Sequence, residues 1–135
     1  MLILDTNVIS AARRPDRGAA VSTWLKTRND EELFLSVITI GEISRGIRQQ
    51  EKRNPEFAKD LNKWLSRTEL LFEDRIVPFS ATDAKIWGEL SAEIGNSGAD
   101  LMIAASALTH DATVVTGNIK DFEPTGVKLI DPFQP

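Results

Sequence analysis

The hydrophobic positions of the chain alternate between two patterns. Short apolar runs end at polar clusters, and between them lie longer stretches with helical spacing. Leu2-Ile3-Leu4 ends at Asp5-Thr6-Asn7 and reads as a buried strand that meets a loop or helix cap. A short helix over Val8 to Ala12 follows, broken by Arg13-Arg14-Pro15-Asp16. Val21, Trp24 and Leu25 predict a second helix over roughly 17–28. Leu33-Phe34-Leu35 is a second strand, and a helix capped by Ser36 or Thr39 then runs to about Arg53, where Asn54-Pro55 interrupts it. Phe57, Leu61, Trp64, Leu65, Thr68, Leu71 and Phe72 repeat with the period of a strongly amphipathic helix. Ile76-Val77, before Pro78, is a weak third strand. Ser80 opens a helix to about Ile94, with Ala84, Trp87, Leu90 and Ile94 on one side and Asp83 and Glu89 on the solvated face. Gly95-Asn96-Ser97-Gly98 is a loop. Leu101 to Leu108 is apolar nearly all round, which predicts a buried helix. Ala112 to Thr116 and Val127 to Ile130 complete five strands. Apolar strands alternating with helices predict an α/β fold with a mainly parallel sheet.

Composition narrows the chemistry. At 135 residues the chain is expected to form a single domain, 1–135, with a real core. There is no cysteine, which excludes disulfides, thiolate metal sites and thiol nucleophiles. His110 is the only histidine, so two-histidine acid–base chemistry is excluded as well. It follows the end of the buried helix, where a cationic ring suits the helix dipole. An enzyme built from these residues must work with carboxylates. The net charge of −4 means that overall charge does not hold the chain to nucleic acid. No apolar run approaches the ~20 residues of a membrane span, and no basic segment precedes the first apolar run, so a cytoplasmic protein without a membrane partner is expected.

Three acids stand where topology can gather them. Asp5 ends the first strand, Glu42 lies early in the helix after the second, and Asp100 opens the buried helix before the fourth. Crossover helices of right-handed βαβ units start at the carboxyl edge of the sheet, where open α/β sheets bind ligands. Thr116-Gly117-Asn118 leaves strand four at that edge, with Asp121 one turn on. Each acid alone is compatible with a cap or a solvated helix position. Together they form an oxygen-only set suited to Mg²⁺ or Mn²⁺, which relieves carboxylate repulsion and can activate water against a phosphate.

Four motifs carry a family resemblance: Leu4-Asp5-Thr6-Asn7; Ile40-Gly41-Glu42-Ile43 with Gly46; Asp100-Leu101-Met102-Ile103-Ala104-Ala105; and Val115-Thr116-Gly117-Asn118 with Asp121-Phe122. In this order they resemble a PIN domain, more narrowly the VapC/FitB-like ribonuclease toxins of bacterial toxin–antitoxin systems, over essentially the whole chain. The resemblance implies a three-layer fold with a central sheet of about five parallel strands. It also implies an Mg²⁺- or Mn²⁺-dependent endoribonuclease with catalytic Asp5, Glu42 and Asp100, of which Asp5 and Asp100 hold the metal. Thr6, Thr116 and Asn7 would support the acids. Asn118 stands where many relatives carry a fourth acid, with Asp121 nearby, which leaves one or two metals open. The implied partners are an RNA substrate, a VapB-like antitoxin and a second copy of the chain as a homodimer.

Two further features bear on those partners. Arg45, Arg48, Lys52 and Arg53 follow Glu42, and Arg13, Arg14 and Arg17 follow Asp5, so local cations are available for phosphates flanking the acids. Trp24, Ile43, Ile47, Phe57, Trp64 and Phe72 either complete the core or line a groove for an amphipathic partner helix. The alternatives are a catalytically decayed PIN-like interaction module, a phosphoryl-accepting signalling domain and a dinucleotide-binding enzyme. The intact acid triad argues against the first. The second would need paired acids after strand one and a lysine after the last strand, neither of which is present. The third would need a Gly-x-Gly-x-x-Gly turn, also missing.

Overall fold

The computed structural model describes residues 1–16 and 18–134. Five strands, β1 (Leu2–Leu4), β2 (Leu33–Ser36), β3 (Ile76–Val77), β4 (Thr113–Val115) and β5 (Lys128–Ile130), form one parallel sheet in the order β3-β2-β1-β4-β5. The register places Leu4 beside both Leu35 and Val115, so the three central strands end at a common edge. β1 and β4 are apolar on both faces because helices cover both, as a parallel sheet requires. One side packs α1 (Thr6–Ala12), α2 (Ala19–Lys26), α3 (Val37–Arg53) and α4 (Pro55–Leu71) around Leu4, Leu35 and Val115. On the other, α6 (Ala99–Thr109) and α7 (Ile119–Phe122) pack on Ile3, Val77 and Val114. α5 (Ala81–Ile94) lies outermost against α6.

The sequence punctuation is realised residue by residue. Ser36, not Thr39, caps α3, its hydroxyl accepting from the Ile38 amide at 3.0 Å. Asn54 ends α3 and caps α4, accepting from the Phe57 amide at 3.2 Å, and Pro55 takes the first helical position, where its missing N–H is harmless. Gly95 ends α5 in the left-handed conformation at φ 81°.

Three expectations need correction. Asp83 is not on a solvated face but completely buried between α5 and α6. It closes a capping box with Ser80 and accepts from the Ser106 hydroxyl at 3.0 Å. Ala84, placed on the apolar side, is exposed instead, as Glu89 is. Leu71, in register with the apolar stripe of α4, is 65% exposed, because that helix ends there and only Phe72 turns inward. Of the groove candidates, Trp24, Ile43, Ile47 and Phe72 belong to the core, while Phe57 and Trp64 are half-buried beside it.

Candidate active site

Asp5 sits one residue beyond β1, and its amide donates to the Val115 carbonyl at 2.9 Å, locking it to the end of β4. Its carboxylate is almost fully buried and has two jobs. Oδ1 caps α1 through the Thr6 amide at 2.8 Å. Oδ2 accepts from the Thr116 hydroxyl at 2.8 Å and from Asn7 Nδ2 at 3.2 Å. Asp5 is therefore the helix cap that the sequence suggested, through Oδ1, while Oδ2 is held separately by Thr116 and Asn7.

A short polar chain links this residue to the others. Asn7 Nδ2 also reaches the Thr116 hydroxyl at 3.3 Å, and Asn7 Oδ1 accepts from the Gly117 amide at 3.2 Å. The Asn118 amide donates to Thr116 Oγ1 at 2.9 Å, while its side chain makes no cap bond and is exposed. On the other side, Thr6 Oγ1 donates to Glu42 Oε1 at 2.6 Å and lies 3.3 Å from the buried Thr39 hydroxyl. Thr39 was visible in the sequence only as a possible cap. Its place one turn before Glu42 was the signal that it faces the same centre. Glu42 is half-buried and held by this bond, not solvated.

Asp100 opens α6 from the far side of the sheet. It stands in the first turn of a helix whose cap, Gly98, offers no side chain, and its carboxylate makes no capping bond. Burial, then the charges of Asp5, Asp121 and Glu42, raise its pKa to about 6. Asp5 is also raised: burial outweighs the bonds from Thr116 and Thr6, and Glu42 and Asp121 add repulsion. Asp121, exposed on α7, thus acts on both buried Asp5 and half-buried Asp100 through its charge. The topology does bring Asp5, Glu42 and Asp100 to one edge of the sheet, with Asp121 close enough to be felt.

The donor set fits a hard dication. All candidate ligands are oxygens, and both Asp5 and Asp100 are raised by burial and then by neighbouring carboxylates, Glu42 and Asp121 acting on Asp5 and Asp5, Asp121 and Glu42 acting on Asp100, a repulsion that a cation removes. Among the described residues, no three acidic or histidine side chains enclose an ion by themselves. That suits Mg²⁺, which takes one or two carboxylates and completes its shell with water and substrate phosphate.

The basic residues divide. Arg45, Arg48 and Lys52 lie on the exposed face of α3, away from buried Ile43 and Ile47, and Arg48 is paired with Glu51 at 2.7 Å. Arg45 stands one turn beyond Glu42, and Arg48 and Lys52 lie further along the helix. Arg53, also exposed, closes the last turn of α3, well along the helix from Glu42. Arg13 stands at the end of α1, its guanidinium carbon 5.4 Å from the Phe57 ring centre and 5.9 Å from that of Trp64. Arg14 follows it; Arg17 lies outside the described residues. His110 ends α6 as its C-cap, exposed and away from the acids in the fold.

Comparison with known proteins agrees with this fold. The PIN domain family matches residues 2–126. The plasmid stability protein StbB of Pseudomonas syringae pv. tomato is 36% identical, covering 99% of both chains. The VapC ribonuclease Y4jK of Sinorhizobium fredii is 32% identical, over 100% of this chain and 99% of that protein. The crystal structure of FitAcB from Neisseria gonorrhoeae superposes with a TM-score of 0.87 at 32% identity, covering all of both chains. VapBC2 of Rickettsia felis, solved on a promoter DNA fragment, gives 0.72 at 27% identity over 96% of each. With a family match across nearly its whole length, full-length relatives at 32–36% identity and a five-stranded parallel sheet that superposes on a solved relative, this chain belongs to the PIN domain family.

Proposed function

We propose that the chain is a metal-dependent endoribonuclease, the toxin component of a toxin–antitoxin pair, acting as a single domain over residues 1–135. The observation that carries this reading is the meeting of Asp5, Glu42 and Asp100 at the carboxyl edge of the sheet, with Asp5 and Asp100 both raised in pKa. Relatives named as VapC ribonucleases and as the toxin FitB support it at 32–33% identity over nearly the full chain.

Asp5, at the end of β1, and Asp100, at the start of α6, would hold Mg²⁺ or Mn²⁺. A bound dication supplies charge stabilisation at the scissile phosphate and lowers the pKa of a water. Glu42, fixed by Thr6, faces the same space from α3 and acts as base or as a ligand through water. Thr116 and Asn7 keep Asp5 Oδ2 in place, and Thr39 steadies Thr6. Asn118 and Asp121 form the outer wall, where Asp121 adds negative charge without a buried seat.

Such an activity needs restraint, and we assign it to a VapB-like antitoxin that covers the acids and directs an Arg or Lys into them in place of the metal. The structural neighbours include a toxin–antitoxin complex from Klebsiella pneumoniae and the VapBC2 complex. A second copy of this chain completes a homodimer. No helix among the described residues is long and apolar enough to cross a membrane.

The deciding experiment incubates the purified chain, free of partner, with total RNA and Mg²⁺, Mn²⁺ or EDTA. Cleavage with either metal and none with EDTA is expected. Intact RNA under all three conditions would leave the decayed interaction module as the better reading.

A further inference from the structure

Beside Glu42 and Thr6 a groove of about 290 Å³ runs along the surface between α1, α3 and α4, each of which gives it one helical face. That volume is close to the lower bound of ~300 Å³ typical of small-molecule sites. Its far end is chemically distinct from the acids. Phe57 and Trp64, one above the other on α4, are only half-buried, and the Arg13 guanidinium lies over both rings. Among the described residues Arg13 has no carboxylate partner, so its charge is not neutralised. The floor holds a second oddity. Gly46 sits in the middle of α3, where glycine weakens a helix, and a Cβ there would meet nothing within 4 Å. Its want of a side chain relieves no crowding; it keeps the groove open.

We propose that Arg13, Phe57 and Trp64 form a subsite for one unpaired nucleotide of the RNA, its base packed on the rings and its phosphate on Arg13. The proposal rests on the nuclease reading of the adjoining acids. Arg13 lies seven residues along α1 from Thr6, roughly 10 Å, which puts the bound nucleotide within two steps of the scissile bond. Charge order selects the occupant. The groove leads from anionic carboxylates, which call for a metal and a phosphate, to an unneutralised cation beside aromatic faces. A single strand offers phosphate and ring in that alternation, and stacking on aromatic and guanidinium planes is how unpaired bases are held. A duplex has no free base to offer.

The test is steady-state cleavage of a short unpaired RNA oligonucleotide by the metal-loaded protein. Trp64→Ala and Arg13→Ala should each raise KM about tenfold, the size of one stacked base, with kcat within about twofold. Trp64→Phe should restore most of the loss. Gly46→Leu should raise KM likewise while raising the melting temperature, which separates a blocked groove from a damaged fold. An abasic nucleotide scanned along the oligonucleotide should, at one position, impose the same loss on the wild type and no further loss on Trp64→Ala. Wild-type KM in Trp64→Ala and Gly46→Leu, or abasic and Trp64→Ala losses that multiply, would overturn the subsite while leaving the nuclease intact. If the wild type cleaves nothing, the nuclease reading has failed. Anisotropy binding of the same oligonucleotide then decides the subsite alone, and equal affinity of wild type and Trp64→Ala overturns it. Variants that keep RNA affinity but lose a co-expressed partner from the neighbouring reading frame would give the groove to a protein helix instead.

Discussion

At the scale of single residues, the acids oppose the fold that presents them. The folded chain holds a proton on Asp100 that the unfolded chain has already released, since the folded pKa is about 6 against an ordinary 3.8. Metal-free stability therefore falls as pH rises between those values and stays reduced at neutral pH. Asp100→Asn should raise the metal-free melting temperature at pH 7 by about 3 °C, the effect of roughly 1 kcal/mol once the shift is discounted for a half-exposed carboxylate. The gain should vanish below pH 4 in melts recorded with EDTA. The same variant and Asp5→Asn should abolish divalent-dependent cleavage, losing at least about a thousandfold, as expected when a metal-activated water is misplaced. Glu42→Gln should also inactivate, yet Mn²⁺ titration calorimetry should show a smaller loss of affinity than for Asp5→Asn. The reverse ranking would make Glu42 a direct ligand. These acids were legible in the sequence because topology alone delivers a strand end and two helix starts to one edge. The platform of Arg13 on Phe57 and Trp64 was not, since it depends on how α4 crosses α1, and no local spacing encodes that.

At the scale of elements, Asp83 shows where pattern reading stops. The helical period of α5 marked it as surface, and only the Ser106 donor on α6, far along the chain, makes its burial tolerable. Burial alone would raise its pKa, but the Ser106 hydroxyl and the Ser80 amide, both donating to Oδ2, help to hold it below the ordinary value. Its sign is opposite to that of Asp100: the stability it contributes is complete above pH 3.8 and is lost as pH falls further. Asp83→Ala should cost about 2–3 kcal/mol, the range for leaving buried donors to a charged group unpaired, measured by urea unfolding near neutral pH. Cleavage per folded molecule should be unchanged, because α5 lies outside the site. The exposed end of α4 has a similar lesson. Seven positions in register predicted one stripe, but the last, Leu71, falls where the helix stops and the stripe no longer faces anything.

At the scale of the whole molecule, an acidic protein is asked to hold a polyanion. Its net charge is −4, and the cations of α3 lie largely on the side away from the groove. Association should then depend on the metal and on one or two phosphate contacts, not on a broad positive field. The dependence of log affinity on log salt should be shallow, with a slope of about −0.7 to −1.4, measured by anisotropy at fixed Mg²⁺. A slope steeper than about −3 would require a basic surface not identified in the fold. The parallel sheet and the carboxyl-edge location followed from the alternation of apolar runs and helices, because a parallel sheet with right-handed crossovers leaves few choices, whereas the strand order β3-β2-β1-β4-β5 depends on pairings that no local pattern encodes.

The repulsion stored among Asp5, Asp100, Glu42 and Asp121 has an evolutionary corollary. In most enzymes a lesion that destroys activity is as apt to be a broken core as a lost functional group, and cells clear the misfolded product. Here disarming the centre by removing a charge while keeping a hydrogen-bonding side chain, as Asp100→Asn and Asp5→Asn do, relieves repulsion in the fold, so loss of activity and loss of solubility come apart. A survival screen on cells forced to express this chain unaccompanied should be rich in escapees altered at Asp5, Glu42 or Asp100. Those with Asn at Asp5 or Asp100, which keeps the shape and loses the charge, should accumulate full-length, soluble protein at or above the parental level. Survivors drawn mainly from core positions such as Leu35, Ile103 or Val114, with little protein left, would mean that the acids carry no such strain.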